Sequence, residues 1–439
     1  MDALNSSWRK HAIGALVSIS LVASSFSGPF EDVGNPSPSR EERDCHSRGS
    51  GSPVREKLWI PVFTGMTDKA ESDCAQINLL QVASSQQPSN PPPGKREPFT
   101  YQLAVPGRAL KFPQGHFSHP DYKTEWWYYT GHFETESGKS YGYQVTFFRF
   151  GLRDRQKEEK SPPVFTDLFM AHFALSDKQG KKFRVAERAN RGYNDKAGAA
   201  TDRYLVWNED WKVEAQGESH VIEVNDKDVA LKLRLTSQKP PVLHGDNGLS
   251  QKAEGRGRAS YYYSLTRLGT EGVLEVGGKK EKFRGQSWMD HEFGSNQLAE
   301  DQLGWDWFSI QLDNNTELML YLMRRKDGSI DPYSSGTLVY STGAVRHLAL
   351  RDFQVQALEK WKSPKSGGNY PMKWKVVIPS EGIELEFVPF FPDQELDTRK
   401  STKVTYWEGS AQVRGTFQNK PVEGLGYVEM TGYAGKLKV

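Results

Sequence analysis

From Tyr101 onward the chain alternates apolar and polar positions in short runs. Val229-Ala-Leu-Lys-Leu-Arg-Leu235 alternates at every step, and Tyr141-Gly-Tyr-Gln-Val-Thr-Phe147 alternates bulky residues with small or polar ones. Residues 169–173 and 317–324 form further short apolar runs. A period of two predicts antiparallel strands with one face on a core, and no long helical period lies between the runs.

Turn residues separate these runs. In the first half they are Asp177-Lys-Gln-Gly180, Asn225-Asp226 and Gly269-Thr-Glu-Gly272, and in the second half Asp313-Asn-Asn315 and Asp327-Gly328. The composition agrees, because 22 Phe, 18 Tyr and 12 Trp accompany 40 Gly and 24 Pro. Aromatic strands with frequent turns predict an all-β fold, either a barrel or a sandwich.

The two halves of this region repeat one another. Trp126-Trp-Tyr-Tyr129 opens the first half as Trp305-Asp-Trp-Phe308 opens the second, and Gly285-Gln-Ser-Trp-Met-Asp290 parallels Gly424-Leu-Gly-Tyr-Val-Glu429. We interpret this as a diverged tandem duplication, with domains at 101–296 and 297–439. The second copy keeps the acid but has Met and Thr at the next two positions, so we expect the chemistry in the first domain or at the junction.

Residues before the strands predict export. Arg9-Lys-His11, an apolar run over 12–23 and small residues after it have the three regions of a signal peptide, predicted over 1–28. The apolar run is too short for a comfortable membrane span. Residues 29–100 are polar and proline-rich, which predicts a low-complexity, disordered spacer. It contains Cys45 and Cys74, whose pairing stays open.

These features predict a secreted or periplasmic protein. We expect no integral membrane span after signal cleavage, and peripheral membrane contact stays open. The formal charge is only +2, with 57 basic residues interleaved among 55 acidic ones, so we expect no nucleic-acid partner.

The strongest candidate for chemistry is Ser287-Trp-Met-Asp-His-Glu-Phe-Gly294. In an extended strand Trp288, Asp290 and Glu292 share one face, and Met289, His291 and Phe293 share the other. An apolar wall around Asp290 would raise its carboxyl pKa and make it a proton donor. The alternative is an Asp that hydrogen-bonds a strand end or turn. The candidate catalytic residues are Asp290, His291, Glu292 and Glu125.

Glu125 stands before a run of aromatic residues and His132, so a carboxylate again lies next to large rings. This suits a general base or a second pocket wall, while the alternative is an aromatic strand in a barrel core. The predicted ligand-binding residues are Trp126, Trp127, Tyr128, His132, Tyr263, Trp288, Trp305 and Trp307.

Other chemistries have weaker signals. The histidines could join Asp290 or Glu292 around a metal, yet they form no compact ligand motif, so we expect neither metal nor cofactor; they are His116, His119, His132, His172, His244 and His291. Ser287 lacks the second glycine of a Gly-x-Ser-x-Gly elbow and would face away from Asp290, which disfavours it as the nucleophile of a serine hydrolase. We interpret residues 245–258 as a mobile loop at the barrel mouth.

Six motifs between about residues 108 and 436 stand out: Phe112-Pro-Gln-Gly-His-Phe117, Glu125-Trp-Trp-Tyr-Tyr-Thr-Gly-His132, Tyr261-Tyr-Tyr-Ser264, Ser287-Trp-Met-Asp-His-Glu-Phe-Gly294, Trp305-Asp-Trp-Phe308 and Gly426-Tyr-Val-Glu-Met-Thr-Gly-Tyr433. Together they resemble a secreted family that joins AttH-type predicted hydrolases with carotenoid 1,2-hydratases. The resemblance implies two tandem lipocalin-like antiparallel barrels, which can enclose one elongated apolar molecule.

In the hydratases an acidic residue protonates an isoprenoid double bond, aromatic side chains shelter the cation and water adds. By resemblance Asp290 would be that acid, with Trp288 and Tyr263 beside it. The chain is most similar to the predicted-hydrolase branch, so its substrate need not be a carotenoid. We therefore expect a protein that binds a small hydrophobic ligand, isoprenoid or lipid-like. Two hypotheses stay open: a hydratase or hydrolase that uses Asp290, or a non-enzymatic carrier in which Asp290-His291-Glu292 clamps the barrels together.

Overall fold

The computed structural model describes residues 101–152, 166–402 and 404–434. They form two antiparallel sheets joined by turns, with short 3-10 segments at Gln114–His116, Leu350–Asp352 and Pro379–Glu381. All of them belong to one compact unit of the chain. No helix in these ranges is long and apolar enough to cross a membrane. The predicted signal peptide, the spacer, Cys45 and Cys74 lie outside the described residues.

The first sheet has 13 strands and curves into a nearly closed barrel. Its first strand, β1, pairs with both the second and the last, β13. The strands are β1 (Thr124–Thr135), β2 (Ser140–Gly151), β3 (Asp167–Asp177), β4 (Lys182–Arg191), β5 (Ala197–Ala199), β6 (Leu205–Asn208), β7 (Trp211–Gln216), β8 (Ser219–Asp226), β9 (Val229–Ser237), β10 (Val242–Leu243), β11 (Leu249–Gln251), β12 (Ala259–Val276) and β13 (Lys279–Gly294).

The second sheet has ten strands and forms a half-barrel. It repeats the strand pairing of the first sheet, because its first strand, β14, pairs with both the next and the last, β23. The strands are β14 (Gln302–Leu312), β15 (Glu317–Arg325), β16 (Ser335–Val339), β17 (Val345–Ala349), β18 (Gln354–Lys362), β19 (Asn369–Ile378), β20 (Ile383–Pro389), β21 (Glu395–Thr398), β22 (Val404–Phe417) and β23 (Lys420–Met430). The all-β prediction is confirmed.

Strand β9 shows how the apolar pattern builds the barrel. Val229, Leu231, Leu233 and Leu235 are buried in the core of the first sheet, whereas Lys232 and other alternate residues reach solvent. Each buried leucine stabilises the fold by about 1.5–3 kcal/mol relative to an exposed one. The alternation read from the sequence therefore fixes which face of this strand points inward.

Strand β1 is buried on both faces, which explains its continuous aromatic run. Trp127 and Tyr129 pack inside the first barrel. Tyr128 points the other way, into a second apolar cluster that includes Trp307 of the second sheet, and Trp126 packs against that cluster. A strand that is covered on both sides has no solvent-exposed face, so its sequence lacks the simple alternation of β9.

One predicted turn is wrong. Residues 269–272 lie inside β12, which continues to Val276. The hairpin turns instead at Gly277-Gly278, whose φ angles of 59° and 80° suit a two-residue connection between twisted strands. Gly272 serves close packing, because a Cβ atom there would lie 2.0 Å from the carbonyl oxygen of Lys232.

Candidate active site

Strand β13 presents two different chemical surfaces. Asp290 and Glu292 face a cavity at the junction of the two sheets, whereas Met289 packs in the core of the first barrel. His291 points to the barrel side as well, where its ring stacks on Trp127 with the ring centroids 4.9 Å apart. The alternation expected for an extended strand is confirmed, and it separates the acids from the histidine.

The cavity has a volume of about 80 Å³, which is room for several water-sized groups. Both sheets contribute to its wall. The lining combines aromatic rings with four carboxyl groups and one lysine, and consists of Trp126, Tyr128, Phe148, Lys252, Tyr262, Asp290, Glu292, Gln297, Leu298, Trp305, Trp307, Tyr321, Met323, Glu408 and Glu429.

Asp290 is the cavity acid that is held by three side-chain donors. It is 3% exposed, and its carboxylate accepts hydrogen bonds from the Tyr262 hydroxyl at 2.8 Å, the Trp288 indole Nε1 at 2.6 Å and the Ser264 hydroxyl. Burial raises the pKa of Asp290 to about 7 although these three donors oppose the change, and Glu292 adds to the rise. Asp290 can therefore hold a proton near neutral pH.

The second sheet supplies two further acids. Burial, aided by nearby Asp290 and Glu292, raises the pKa of Glu429 to about 7, and the Trp305 indole donates to it at 3.1 Å. Burial and the neighbouring Glu429 hold the pKa of Glu408 well above its usual range. These groups are predominantly neutral at acidic pH, so the cavity can hold several acids without strong mutual repulsion.

Glu292 has a different environment, because it pairs with Lys252. The ammonium Nζ lies 3.3 Å from a Glu292 oxygen, and 4.1 Å from the centre of the Tyr321 ring. Burial acts to lower the pKa of Lys252, but Glu292 and Tyr321 outweigh it and the pKa is raised. Lys252 thus brings a fixed positive charge to the cavity wall.

On the other face of β13 a separate buried network fills the first barrel. Glu125 Oε1 lies 3.0 Å from His291 Nε2 and 2.8 Å from His119 Nδ1, and its Oε2 accepts from Arg149 at 3.1 Å. Burial acts to raise the pKa of Glu125, but the two histidines and Arg149 hold it well below its usual range. The Tyr263 hydroxyl continues the network, 3.0 Å from His291 Nδ1.

This network contains the residues best placed to hold a cation. One ligand atom each from His119, Glu125 and His291 lie within 4.8 Å of one another. Those atoms are already engaged in hydrogen bonds, and the Arg149 guanidinium beside Glu125 opposes a second positive charge. The expectation that the protein binds no metal stays a prediction.

The predicted site residues therefore fall into three places. Asp290, Glu292, Trp126, Tyr128, Trp305 and Trp307 line the cavity. Glu125, His291, Trp127 and Tyr263 belong to the barrel network and its core. Trp288 stands behind Asp290 as a donor, and His132 lies deeper between the sheets, with its ring 5.8 Å from that of Phe390.

Sequence reasoning missed Lys252, Tyr262, Tyr321 and Glu408. Lys252 comes from the stretch interpreted as a mobile loop, yet it is 6% exposed. Tyr262 stands next to the predicted Tyr263, and the pairing of β12 with β13 would have identified it, since Tyr262 lies opposite Glu292. Glu408 directly follows Tyr406 and Trp407 in β22, so it again combines a carboxyl group with large rings, a signal that the sequence does contain.

The fold and the cavity define a class: two-barrel β-proteins with buried acids at the barrel junction. Residues 103–433 match the family described as AttH-like, and the chain belongs to this family. The crystal structure of an AttH-type protein from Nitrosomonas europaea is 33% identical, covers 76% of this chain and 99% of its own, and superposes with a TM-score of 0.68. The predicted lipocalin-like two-barrel architecture is thereby confirmed.

Two hydratases are also similar. Kievitone hydratase from Fusarium solani subsp. phaseoli is 24% identical over 219 residues, which are 47% of this chain and only 58% of that protein. The structure of kievitone hydratase from Nectria haematococca is 16% identical and covers 77% of this chain and 98% of its own, with a TM-score of 0.59, a likeness of fold. The chain is therefore an AttH-like β-barrel protein with homology to a hydratase.

Proposed function

We propose that this protein is a hydratase that adds water to a carbon–carbon double bond of a hydrophobic, isoprenoid or lipid-like ligand held at the barrel junction. The observation that carries the proposal is Asp290, a carboxyl group that burial keeps protonated up to about pH 7 in an aromatic cavity. The homology to kievitone hydratase supports this reaction class.

The reaction begins with proton transfer from Asp290 to one alkene carbon, which leaves a positive charge on the other carbon. The faces of Trp126, Trp305 and Trp307 stabilise that charge by cation–π attraction. Water then forms the new C–O bond, and the proton that it loses returns to the Asp290 carboxylate. Tyr262, Trp288 and Ser264 stabilise that carboxylate while it is charged, because each donates a hydrogen bond to it.

The rival hypothesis is a carrier that binds the same ligand without converting it. That hypothesis assumes that Asp290-His291-Glu292 clamps the two barrels together. In the structure, Asp290 and Glu292 bond to Tyr262, Ser264 and Lys252, which all belong to the first barrel. His291 bonds to Glu125 and Tyr263, which also belong to it. These direct bonds stay within the first barrel, and the contact with the second sheet is made one step further on, where the Tyr262 hydroxyl accepts from the Trp307 indole at 3.0 Å.

Identification of the bound molecule tests the proposal. The full chain, purified from its own host, is analysed by native mass spectrometry and then extracted with organic solvent. We expect a hydrophobic molecule with a double bond, together with its hydrated form. A carrier would release one unchanged molecule, and stoichiometric metal with no organic ligand would point to the histidine network instead.

We also propose that the protein acts outside the cytoplasm, in the periplasm or as a secreted protein. The support is the sequence of residues 1–28, with its basic, apolar and small-residue regions. Fractionation of the host, with N-terminal sequencing of the mature protein, tests this. A protein that stays in the cytoplasm with its N-terminus intact would contradict it.

A further inference from the structure

Six buried polar side chains of β1, β2, β22 and β23, where the two sheets meet beside the cavity, each have at least one atom that has no hydrogen-bond partner among the described residues. We call them the polar row: Thr130, His132, Gln144, Glu408, Ser410 and Tyr427. None of them is more than 6% exposed. They contribute one carboxyl, one imidazole, one amide and three hydroxyl groups.

The polar row begins at the cavity wall. Glu408 lines the cavity, and its Oε2 accepts from the Tyr128 hydroxyl at 2.9 Å, while its Oε1 has no partner. Ser410 follows two residues later on the same face of β22, directly opposite Tyr427 of β23. Both hydroxyl groups lack a partner as well.

The first sheet supplies the facing half of the polar row. Thr130 of β1 lies opposite Gln144 of β2, and His132 follows on the same face of β1. The two halves are in contact: a Cβ atom on Gly142 would overlap Ser410 Oγ and lie 3.7 Å from His132 Cδ2. The His132 and Tyr427 rings are 6.3 Å apart.

Leaving these atoms unpaired is costly. Each buried polar atom without a partner carries the full loss of its hydration, and six of them together would rival the net stability of a domain. An apolar ligand offers them no hydrogen bonds. Hydroxyl groups can donate and accept, whereas Gln144 Oε1 only accepts, so the set matches water molecules that bridge one side chain to the next.

We propose that the polar row binds a line of ordered water that reaches the cavity at Glu408. This inference rests on the proposed function, because hydration consumes one water in each turnover. The apolar ligand and the aromatic wall exclude bulk water from the cavity. Water would then enter from the side of Glu408, and the ligand would occupy the aromatic side near Trp305 and Trp307.

A high-resolution crystal structure of the full chain tests the polar row without any substrate. We expect ordered water within hydrogen-bond distance of Glu408 Oε1, Ser410 Oγ, Tyr427 Oη and Gln144 Oε1, in a continuous line. Side chains rotated so that these atoms bond directly to one another would overturn the proposal. Polar groups of a co-purified ligand in place of water would overturn it too.

A matched pair of variants gives a second readout. Tyr427→Phe removes a hydroxyl that water binds in this proposal, so we expect a lower urea midpoint of unfolding. Tyr406→Phe is the control, since its hydroxyl has a direct partner, His172 Nδ1 at 2.6 Å, and its loss must lower the midpoint. A higher urea midpoint for Tyr427→Phe would mean that the Tyr427 hydroxyl is buried without water. It would overturn the proposal that the polar row binds ordered water.

These two measurements separate this inference from the proposed function. If the protein hydrates no alkene, the proposed function fails while the ordered water can still be observed. If the side chains of the polar row bond directly to one another and Asp290 still supports turnover, the proposal of ordered water fails while the proposed function stands.

Discussion

Asp290 on β13 and Glu429 on β23 occupy the same position in their respective sheets. Asp290 pairs with Tyr128 of the first strand in its sheet, and Glu429 pairs with Trp307 of the first strand in the other. Both carboxyl groups line the one cavity, and burial raises the pKa of each to about 7. A tandem duplication predicts such a relation, and it makes the barrel junction a shared acidic site.

Turnover should fall as the pH rises through about 7. The proposed donor works only while Asp290 is protonated, and its pKa is about 7. The pH dependence of kcat/KM, measured on the ligand recovered from the host, reports this ionisation in the free protein. A rate that stays constant from pH 5 to pH 9 would exclude Asp290 as the proton donor.

The free energy of unfolding should also depend on pH through the ionisation of Asp290. The pKa of Asp290 rises from 3.8 in the unfolded chain to about 7, so the folded state holds the proton more tightly. Its contribution to stability is complete below pH 3.8 and is lost as the pH rises through 7. Urea unfolding of Asp290→Asn across this range should therefore show a shallower decline than the unchanged protein, and an identical decline would contradict the raised pKa.

Tyr262→Phe should move the pH profile. The Tyr262 hydroxyl donates to Asp290 at 2.8 Å and favours the charged carboxylate, so its removal raises the pKa of Asp290 and shifts the fall in turnover to higher pH. Tyr261→Phe is the matched control. Its hydroxyl donates to the Val105 carbonyl at 2.7 Å, away from the cavity.

We expect Tyr261→Phe to cost about 1 kcal/mol of stability without changing the pH profile. If both tyrosine variants shifted the profile equally, the effect would come from general loosening of β12. The hydrogen bond to Asp290 would then have no specific role.

Glu125→Gln should destabilise the fold by about 3–5 kcal/mol, because it leaves the buried Arg149 without one of its two carboxylate partners. Urea unfolding measures the loss. The triple variant Glu125→Gln, Arg149→Met and Asp167→Asn should recover part of it, since all three charges of this ion-pair cluster are then gone. Equal losses in the single and triple variants would show that the ion pairs are not the cause.

The sequence predicted the faces of β13 correctly, because a period of two leaves no freedom once the strand is identified. The sequence could not place Lys252, because residues 245–258 have no apolar period. Tertiary packing against Tyr321, Tyr262 and Glu292 buries this lysine. The prediction also chose Tyr263 over Tyr262. Three consecutive tyrosines do not show which of them faces the cavity, whereas the register of β12 against β13 does.

The predicted turn at residues 269–272 failed for a similar reason. Glycines there allow close approach between strands, which a sequence pattern cannot distinguish from a turn. The apolar pattern alone left a barrel and a sandwich open, because the nearly closed first sheet and the half-barrel of the second have similar alternation, and the family resemblance implied the two barrels. Closure depends on contacts between strands that are distant in the chain.

Asp290 is the proposed proton donor, and a labelling experiment with heavy-oxygen water tests this role. The protein is incubated with a lipid extract of its host in water enriched in heavy oxygen, and the products are followed by mass spectrometry. Asp306→Asn is the matched control, because this acid is also buried but bonds to Arg324 and lies outside the cavity lining.

We expect one hydrophobic component to gain one labelled water with the unchanged protein and with folded Asp306→Asn. Asp290→Asn should retain the fold and bind the component, but convert it about 10²–10⁴-fold more slowly. Conversion by Asp290→Asn at the original rate, or no labelled product from any form of the protein, would contradict the account.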